Sequence, residues 1–200
     1  MIKLKYIGII GRKQNDRITY NKEVIDVIYK YNCIPVCISL KFDNTDEFQN
    51  IKPLIDMCDG FILQGGTDFY DIDLSIVKYL YDKNIPTLGI CLGMQEMAYL
   101  FNGKMGKIEN HHSFNKYVHS IIIDEKSKLF KIIGKNKIFV NSRHHDYIIN
   151  TDLNISSYSD VIESVEDPHK KFFIGVQWHP ESLMDKSSKK LFNYFFYSIN

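Results

Sequence analysis

One cysteine of the sequence stands in a pattern that suits a nucleophile. Residues 87–95 read Thr-Leu-Gly-Ile-Cys-Leu-Gly-Met-Gln, so Cys91 has a glycine two positions away on each side. An apolar run precedes it and a helical pattern follows, which is typical of a sharp strand-to-helix turn that lifts the central side chain above a sheet. Backbone N–H groups and the dipole at a helix start stabilise a thiolate. The pattern predicts a reactive Cys91, provided that a base lies nearby.

A histidine and a carboxylate late in the chain can supply that base. Residues 175–181 read Gly-Val-Gln-Trp-His-Pro-Glu. Because residues two apart in an extended chain project to the same side, Glu181 can accept a hydrogen bond from one nitrogen of His179 while the other nitrogen faces Cys91. This arrangement fixes the tautomer and supports the imidazolium. A lone histidine beside a tryptophan is more often a packed residue, and the pairing with Cys91 is what favours a catalytic role.

These residues need a scaffold, and the first half of the chain predicts one. Short apolar runs alternate with helical patterns at 6–10, 22–31, 34–40, 46–57, 60–63, 72–83 and 87–90. Such alternation indicates a parallel sheet covered by helices, with ligands beyond the carboxyl ends of the strands. Gly65-Gly66 follows one of these strands, and its unobstructed N–H groups could stabilise an oxyanion, although paired glycines are also common in turns.

From about residue 117 the pattern changes to strands with few helices. Strands are expected at 118–123, 138–140, 161–165 and 172–176, and a final helix from about 182. The prediction is an α/β fold of flavodoxin-like type, with an open, mostly parallel sheet and an antiparallel extension. No repeat or linker divides the chain, so residues 1–200 are expected to form a single domain.

Composition excludes several function classes. With 25 Lys and Arg against 24 Asp and Glu, the chain has no global basic field for nucleic acid or anionic membranes. The apolar N-terminal run is too short for a signal peptide or a membrane span, so a cytoplasmic location is expected. Cys33, Cys37 and Cys58 form no paired motif and are interpreted as small buried apolar residues.

Taken in order, the Gly-Gly loop, the cysteine turn and the His-Pro-Glu segment resemble the class I glutamine amidotransferase superfamily. The resemblance extends over most of the chain. It implies a triad of Cys91, His179 and Glu181, and an oxyanion hole made by the N–H groups of Gly66 and Leu92. It also implies that Gly65 and Gln95 lie against a γ-glutamyl group, the substrate's reacting part. No cofactor is expected.

A further segment is similar to the γ-glutamyl hydrolase branch of that superfamily. Residues 140–145 read Val-Asn-Ser-Arg-His-His, and an acidic strand follows at 159–166. By this resemblance the segment shapes the substrate pocket through Asn141, Ser142, His144 and His145. Gln64 stands where the branch usually has proline, and Val161 where it often has glycine. The adjacent histidines are not expected to bind a metal, because in a strand they point to opposite faces and no nearby carboxylate cluster completes a site. His111-His112 is expected in a loop.

The sequence leaves several identities open for the amine that the reaction releases. Arg12, Lys13 and Arg17 follow the first strand at the ligand edge. Solvated loop charge is the usual explanation, but Arg12, Lys13 and Arg17, together with Arg143, could bind phosphates of a γ-glutamyl substrate. The compact chain and this loop resemble hydrolases of γ-glutamyl-CDP-amidate in capsule phosphoramidate assembly. Alternatives are a γ-glutamyl-aminobutyrate hydrolase, a glutaminase subunit that supplies ammonia to a synthase partner, and a non-enzymatic binding module. The sequence shows no synthase domain, which favours a standalone hydrolase over a subunit.

Overall fold

The structure, a computed structural model, describes residues 4–41, 47–109 and 111–199. The first strands and helices are β1 (Tyr6–Ile10), β2 (Arg12–Gln14), β3 (Arg17–Thr19), α1 (Lys22–Lys30), β4 (Ile34–Ile38), α2 (Glu47–Asp56), β5 (Gly60–Leu63), α3 (Asp71–Asp82), β6 (Thr87–Ile90) and α4 (Leu92–Leu100). The later ones are β7 (Lys104–Lys107), β8 (His119–Ile123), α5 (Lys128–Ile133), β9 (Lys137–Val140), β10 (Asp146–Asn150), β11 (Asn154–Tyr158), β12 (Ile162–Glu166), β13 (Phe173–Val176), α6 (Pro180–Leu183) and α7 (Lys186–Ser198).

A nine-stranded sheet organises the fold, in the order β4-β1-β5-β6-β13-β12-β11-β8-β9. The strands from β4 to β13 pair in parallel, and those from β13 to β9 pair antiparallel. Strand β13, far along the chain, lies directly beside β6. Two small antiparallel pairs, β2-β3 and β10-β7, stand outside this sheet. The predicted α/β sheet with an antiparallel extension is confirmed.

Helices cover both faces of the sheet because strand residues alternate between two cores. Ile9 and Ile62 pack into one core with α1, α5 and α7, while Ile10 and Phe61 pack into the other with α2, α3 and α4. This is the two-residue period of a strand buried on both faces. The apolar runs that predicted β1, β5 and β6 therefore match the observed strands in full.

The sequence patterns missed short polar elements. The β2-β3 pair and strands β7, β10 and β11 carry weak alternation, and α5 is only six residues long. The predicted start of α2 at residue 46 lies outside the described residues. The final helix begins at Lys186 instead of 182, because α6 forms a separate turn first. Cys37 is exposed, so the expectation that it is buried was wrong, whereas Cys33 and Cys58 are buried.

Candidate active site

Cys91 occupies the predicted strand-to-helix turn between β6 and α4. Its backbone has φ 52° and ψ −106°, a conformation that side chains beyond glycine rarely adopt. Its N–H donates to the carbonyl of Val176 on the neighbouring β13, at 2.8 Å. The turn fits closely against β5, since a Cβ at Gly93 would lie 2.2 Å from the carbonyl oxygen of Leu63. Only glycine at that position lets the helix start so near the sheet.

His179 and Glu181 follow β13, the strand beside β6. Nδ1 of His179 lies 2.7 Å from Oε1 of Glu181. The side chain of Asn141 holds the histidine's backbone on both sides, donating to its carbonyl at 3.0 Å and accepting from its N–H at 2.8 Å. The amide of Asn21 also donates to Glu181 Oε1, at 3.2 Å. The predicted pairing of His179 with Glu181 is therefore present, and both side chains are fixed from outside the local motif.

The charges around His179 favour its protonated form. Burial lowers the pKa of His179, but Glu181 and Cys91 outweigh burial and raise it to about 10. An imidazolium beside the cysteine promotes a thiolate, the reactive form of the sulfur. By contrast, burial and Asp59 raise the pKa of the Cys58 thiol to about 12, so that thiol is inert. Among the described cysteines, Cys91 is the one with a base beside it.

Gly65 and Gly66 border the nucleophile. A Cβ at Gly65 would lie 3.0 Å from Cε1 of His179 and 3.5 Å from Cβ of Cys91. A Cβ at Gly66 would lie 2.9 Å from the side chain of Leu92, the first residue of α4. The loop therefore lies beside Cys91, His179 and the start of α4, the position that the predicted oxyanion hole of Gly66 and Leu92 requires.

Arg12 is buried among protein acceptors, so the prediction that it binds a substrate phosphate is corrected. Its guanidinium is buried and donates to both carboxylate oxygens of Glu96, at 2.5 and 3.0 Å, and to Asp73 at 3.2 Å. It also donates twice to the carbonyl of Gln64. All five N–H donors of the guanidinium are thereby used. Arg12 supports the glycine loop from behind, whereas Arg17 is exposed on the β2-β3 pair.

The predicted pocket residues take different positions. Asn141 is bonded to the backbone of His179, and the buried Ser142 hydroxyl donates to the carbonyl of His111. Both side chains were expected to face the substrate, and both instead have partners within the protein. The amide nitrogen of Gln95 is held by the Asp146 carbonyl and Gln177. His144 is buried, while His145 is exposed and stacks on His112 with ring centroids 5.1 Å apart.

Sequence reasoning missed the residues that connect these parts. The Gln64 side chain donates to the carbonyls of Ile10 and Thr19 and accepts from the N–H of Asn21. Asn21 in turn bonds Glu181. These hydrogen bonds connect the glycine loop to Glu181 through Asn21. They give a structural role to Gln64, which stands where the γ-glutamyl hydrolase branch usually has proline. No local motif marks these bonds, because the residues that form them are far apart in the chain.

Comparisons with known proteins show the family of the chain. The profile of the family described as glutamine amidotransferase class-I matches residues 17–199, and the chain belongs to that family. It is 29% identical to the CTP synthase of Thermosipho africanus over 90% of this chain and 42% of that relative. It is 30% identical to anthranilate synthase component 2 of Cyanophora paradoxa, over 78% of this chain and 81% of that relative.

Solved structures extend the likeness to the whole fold. A protein assigned as a GMP synthase subunit, from Thermoplasma acidophilum, superposes with a TM-score of 0.77 at 22% identity, covering 100% of this chain and 96% of that one. The chain spans less than half of the CTP synthase relative. Among the described residues, no helix combines the length and the apolar character needed to cross a membrane.

Proposed function

We propose that this protein hydrolyses the amide bond of a γ-glutamyl group through a thioester on Cys91. The observation that carries the proposal is the position of His179, whose Nδ1 lies 2.7 Å from Oε1 of Glu181 and whose ring borders Gly65 together with Cys91. A thiol in a strained turn, a base and an orienting carboxylate constitute an acyl-transfer site. Membership of the glutamine amidotransferase family supports the γ-glutamyl group as the acyl part.

The reaction proceeds in two balanced steps. The Cys91 thiolate attacks the γ-carbonyl, the S–C bond forms, and the N–H groups of Gly66 and Leu92 stabilise the oxyanion. His179 gives its proton to the leaving nitrogen as the C–N bond breaks. It then takes a proton from water, which attacks the thioester and releases glutamate while the S–C bond breaks.

Glutamine is the first candidate substrate. The relatives named CTP synthase and anthranilate synthase component 2 support this choice, because they belong to complexes or chains that carry out synthesis. In this role the released ammonia passes to a synthase partner. The family membership supports the chemistry equally for any amine, so the leaving group has to be measured.

A γ-glutamyl conjugate is the second candidate, and it is the function that the resemblance to γ-glutamyl hydrolases favours. Lys13 and Arg17 remain exposed on the β2-β3 pair, next to the loop that Arg12 supports. Two exposed cations at this edge suit an anionic leaving group such as the phosphates of γ-glutamyl-CDP-amidate. The leaving part of γ-glutamyl-aminobutyrate carries a single carboxylate, so it would engage these two cations less fully than a diphosphate does.

The test is glutamate release from glutamine, γ-glutamyl-aminobutyrate and γ-glutamyl-CDP-amidate. The Cys91→Ala variant should lose turnover with each substrate that the wild type cleaves, while Cys37→Ala, which changes an exposed cysteine, should keep it. Rapid release from one conjugate with glutamine barely cleaved would identify a standalone hydrolase. Release from glutamine alone would direct the search to a synthase. Turnover that survives in Cys91→Ala would contradict the proposal.

A further inference from the structure

A second polar cluster lies behind the segment that holds His179. It consists of His111 in the loop before β8, His119 at the start of β8, His144 before β10, and Glu163 on β12; these four residues are named the histidine cluster here. The ring centroid of His111 lies 4.7 Å from that of His119 and 4.8 Å from that of His144. The proposed hydrolysis uses none of these residues.

Four atoms of the cluster are buried without any hydrogen-bond partner. They are Nδ1 of His119, Nε2 of His111, Nε2 of His144 and Oε2 of Glu163. One ligand atom each from His111, His144 and Glu163 can be chosen so that all three lie within 4.8 Å of one another. A buried polar atom without a partner is costly, so unpaired atoms on these three neighbouring side chains call for a shared partner.

The hydrogen bonding of His144 suits a metal ligand. Nδ1 of His144 lies 3.0 Å from the carbonyl oxygen of Asp146, which can only accept, so Nδ1 of the neutral ring carries the proton and Nε2 keeps a free lone pair. A histidine whose second nitrogen donates to a carbonyl is typical of metal ligands.

The carboxylate is held in the same way. Oε1 of Glu163 is bonded by His119 at 2.7 Å and by the hydroxyl of Ser159 at 2.8 Å, which leaves Oε2 free. His119 thus serves as the outer partner of the carboxylate.

We propose that His111, His144 and Glu163 bind a divalent transition-metal ion, with zinc the best fit. Two imidazoles and one carboxylate form a ligand set that zinc accepts in tetrahedral geometry, with water in the fourth position. Bonds of about 2.0–2.2 Å would place the ligand atoms about 3.4 Å apart, so the side chains close by roughly 1 Å on binding.

The ion would tie together parts of the chain that already meet here. The Ser142 carbonyl accepts from the N–H of Ser113, and the Ser142 hydroxyl donates to the His111 carbonyl. Asn141, one residue earlier, holds the backbone of His179. An ion in the histidine cluster therefore fixes the loop around His111 to β12 and to the segment that positions the base. The sequence pattern predicted no metal at His144-His145 because adjacent histidines in a strand point to opposite faces; the cluster instead combines His144 with His111 and Glu163 from other segments.

The test is zinc binding by the full chain after removal of metal with a chelator. It uses the Cys91→Ala background, so that the catalytic thiol cannot contribute a ligand. One zinc per chain is expected by elemental analysis, with competition against a chromogenic chelator giving a Kd below about 1 μM. Cobalt should give the absorption bands of a tetrahedral site, and zinc should raise the thermal midpoint.

Matched variants separate the cluster from the surface histidines. His111→Ala and Glu163→Gln should each weaken zinc binding at least tenfold, whereas His145→Ala, which changes an exposed ring next to His144, should bind as the parent does. If Glu163→Gln fails to fold, His111→Ala, in a loop, remains informative. Zinc uptake below one tenth of an equivalent by the parent, or equal affinity in His111→Ala, would overturn the proposal.

Discussion

Cys91 combines a reactive side chain with an unfavourable backbone. A residue with a Cβ at φ 52° and ψ −106° is strained by roughly 1–3 kcal/mol, and the surrounding contacts hold it there. The N–H of Cys91 is fixed to Val176, and Gly93 allows the following helix to press against β5. The contacts that present the sulfur therefore also hold the backbone of Cys91 in its strained conformation.

Cys91→Gly should consequently be more stable than Cys91→Ala. Glycine adopts this backbone without strain, and that gain exceeds the roughly 0.4–1 kcal/mol that it loses to the freedom of its unfolded chain. We expect a difference of about 1 kcal/mol in the free energy of unfolding by urea. Equal stability of the two variants would show that the strain is no larger than the roughly 0.4–1 kcal/mol that glycine loses to its unfolded chain.

Glu181→Gln should shift the pH dependence of turnover. Without the carboxylate the pKa of His179 falls from about 10 toward 6.5, so the imidazolium that protonates the leaving nitrogen is lost at lower pH. The basic limb of the pH profile of kcat should shift to lower pH. In addition, kcat itself should fall by about 10²–10⁴. Glu109→Gln, which changes an exposed carboxylate, serves as the control. An unmoved basic limb would argue against Glu181 as the orienting group.

Gly65→Ala should impair turnover without unfolding the protein. The added methyl group would meet His179 Cε1 at 3.0 Å, which forces the imidazole to move by a few tenths of an ångström. Small displacements in an acyl-transfer site are expensive, and we expect kcat to fall at least tenfold. Thr67→Ala, at an exposed position of the same loop, should behave as the wild type does. Full activity in Gly65→Ala would place the catalytic pair farther from the loop.

Among the elements, the helices supply the charges that support the glycine loop. Arg12 lies between Glu96 of α4 and Asp73 of α3, and its guanidinium holds the carbonyl of Gln64 just before Gly65. The loop thus rests on a buried ion pair. Removing one partner from such a group leaves an uncompensated buried charge.

Arg12→Met should therefore destabilise the protein by about 3–5 kcal/mol and lower kcat. Urea unfolding and glutamate release measure the two effects. Arg17→Met, on the partner strand of the same pair, should stay within about 0.5 kcal/mol of the wild type. The double change Arg12→Met with Glu96→Met should recover part of the lost stability. Equal stability of Arg12→Met and Arg17→Met would contradict the buried pair.

The elements also show what the sequence could reveal. Strands β1, β5 and β6 are uninterrupted apolar runs, so they could be predicted to the residue, and Cys91, His179 and Glu181 lie in local motifs. Arg12 was misread because its partners are on α3 and α4, and a cation after a strand looks the same whether solvated or paired. Asn21 and Glu163 also act through contacts with residues distant in the chain, which no spacing rule reveals.

At the scale of the whole molecule, the protonation of His179 affects the free energy of unfolding. The folded pKa of His179, about 10, lies above its ordinary value of 6.5, so the protonated ring stabilises the fold. That contribution is complete below pH 6.5 and is lost as the pH rises through 10. The difference in unfolding free energy between the wild type and Glu181→Gln should therefore narrow from about pH 6.5 to about pH 10. A constant difference would mean that Glu181 stabilises the fold without protonating His179.

The place of β13 in the sheet has a consequence for how the protein is made. A ribosome delivers β6 and Cys91 well before β13 and His179, and until β13 inserts, β6 is the open border of a growing parallel sheet. Pairings between such distant segments form slowly. The thiol therefore emerges without its base and gains it only when the strand that seals the border arrives. Until then β6 presents unpaired backbone N–H and C=O groups on one side, which is the kind of strand edge that favours aggregation during folding.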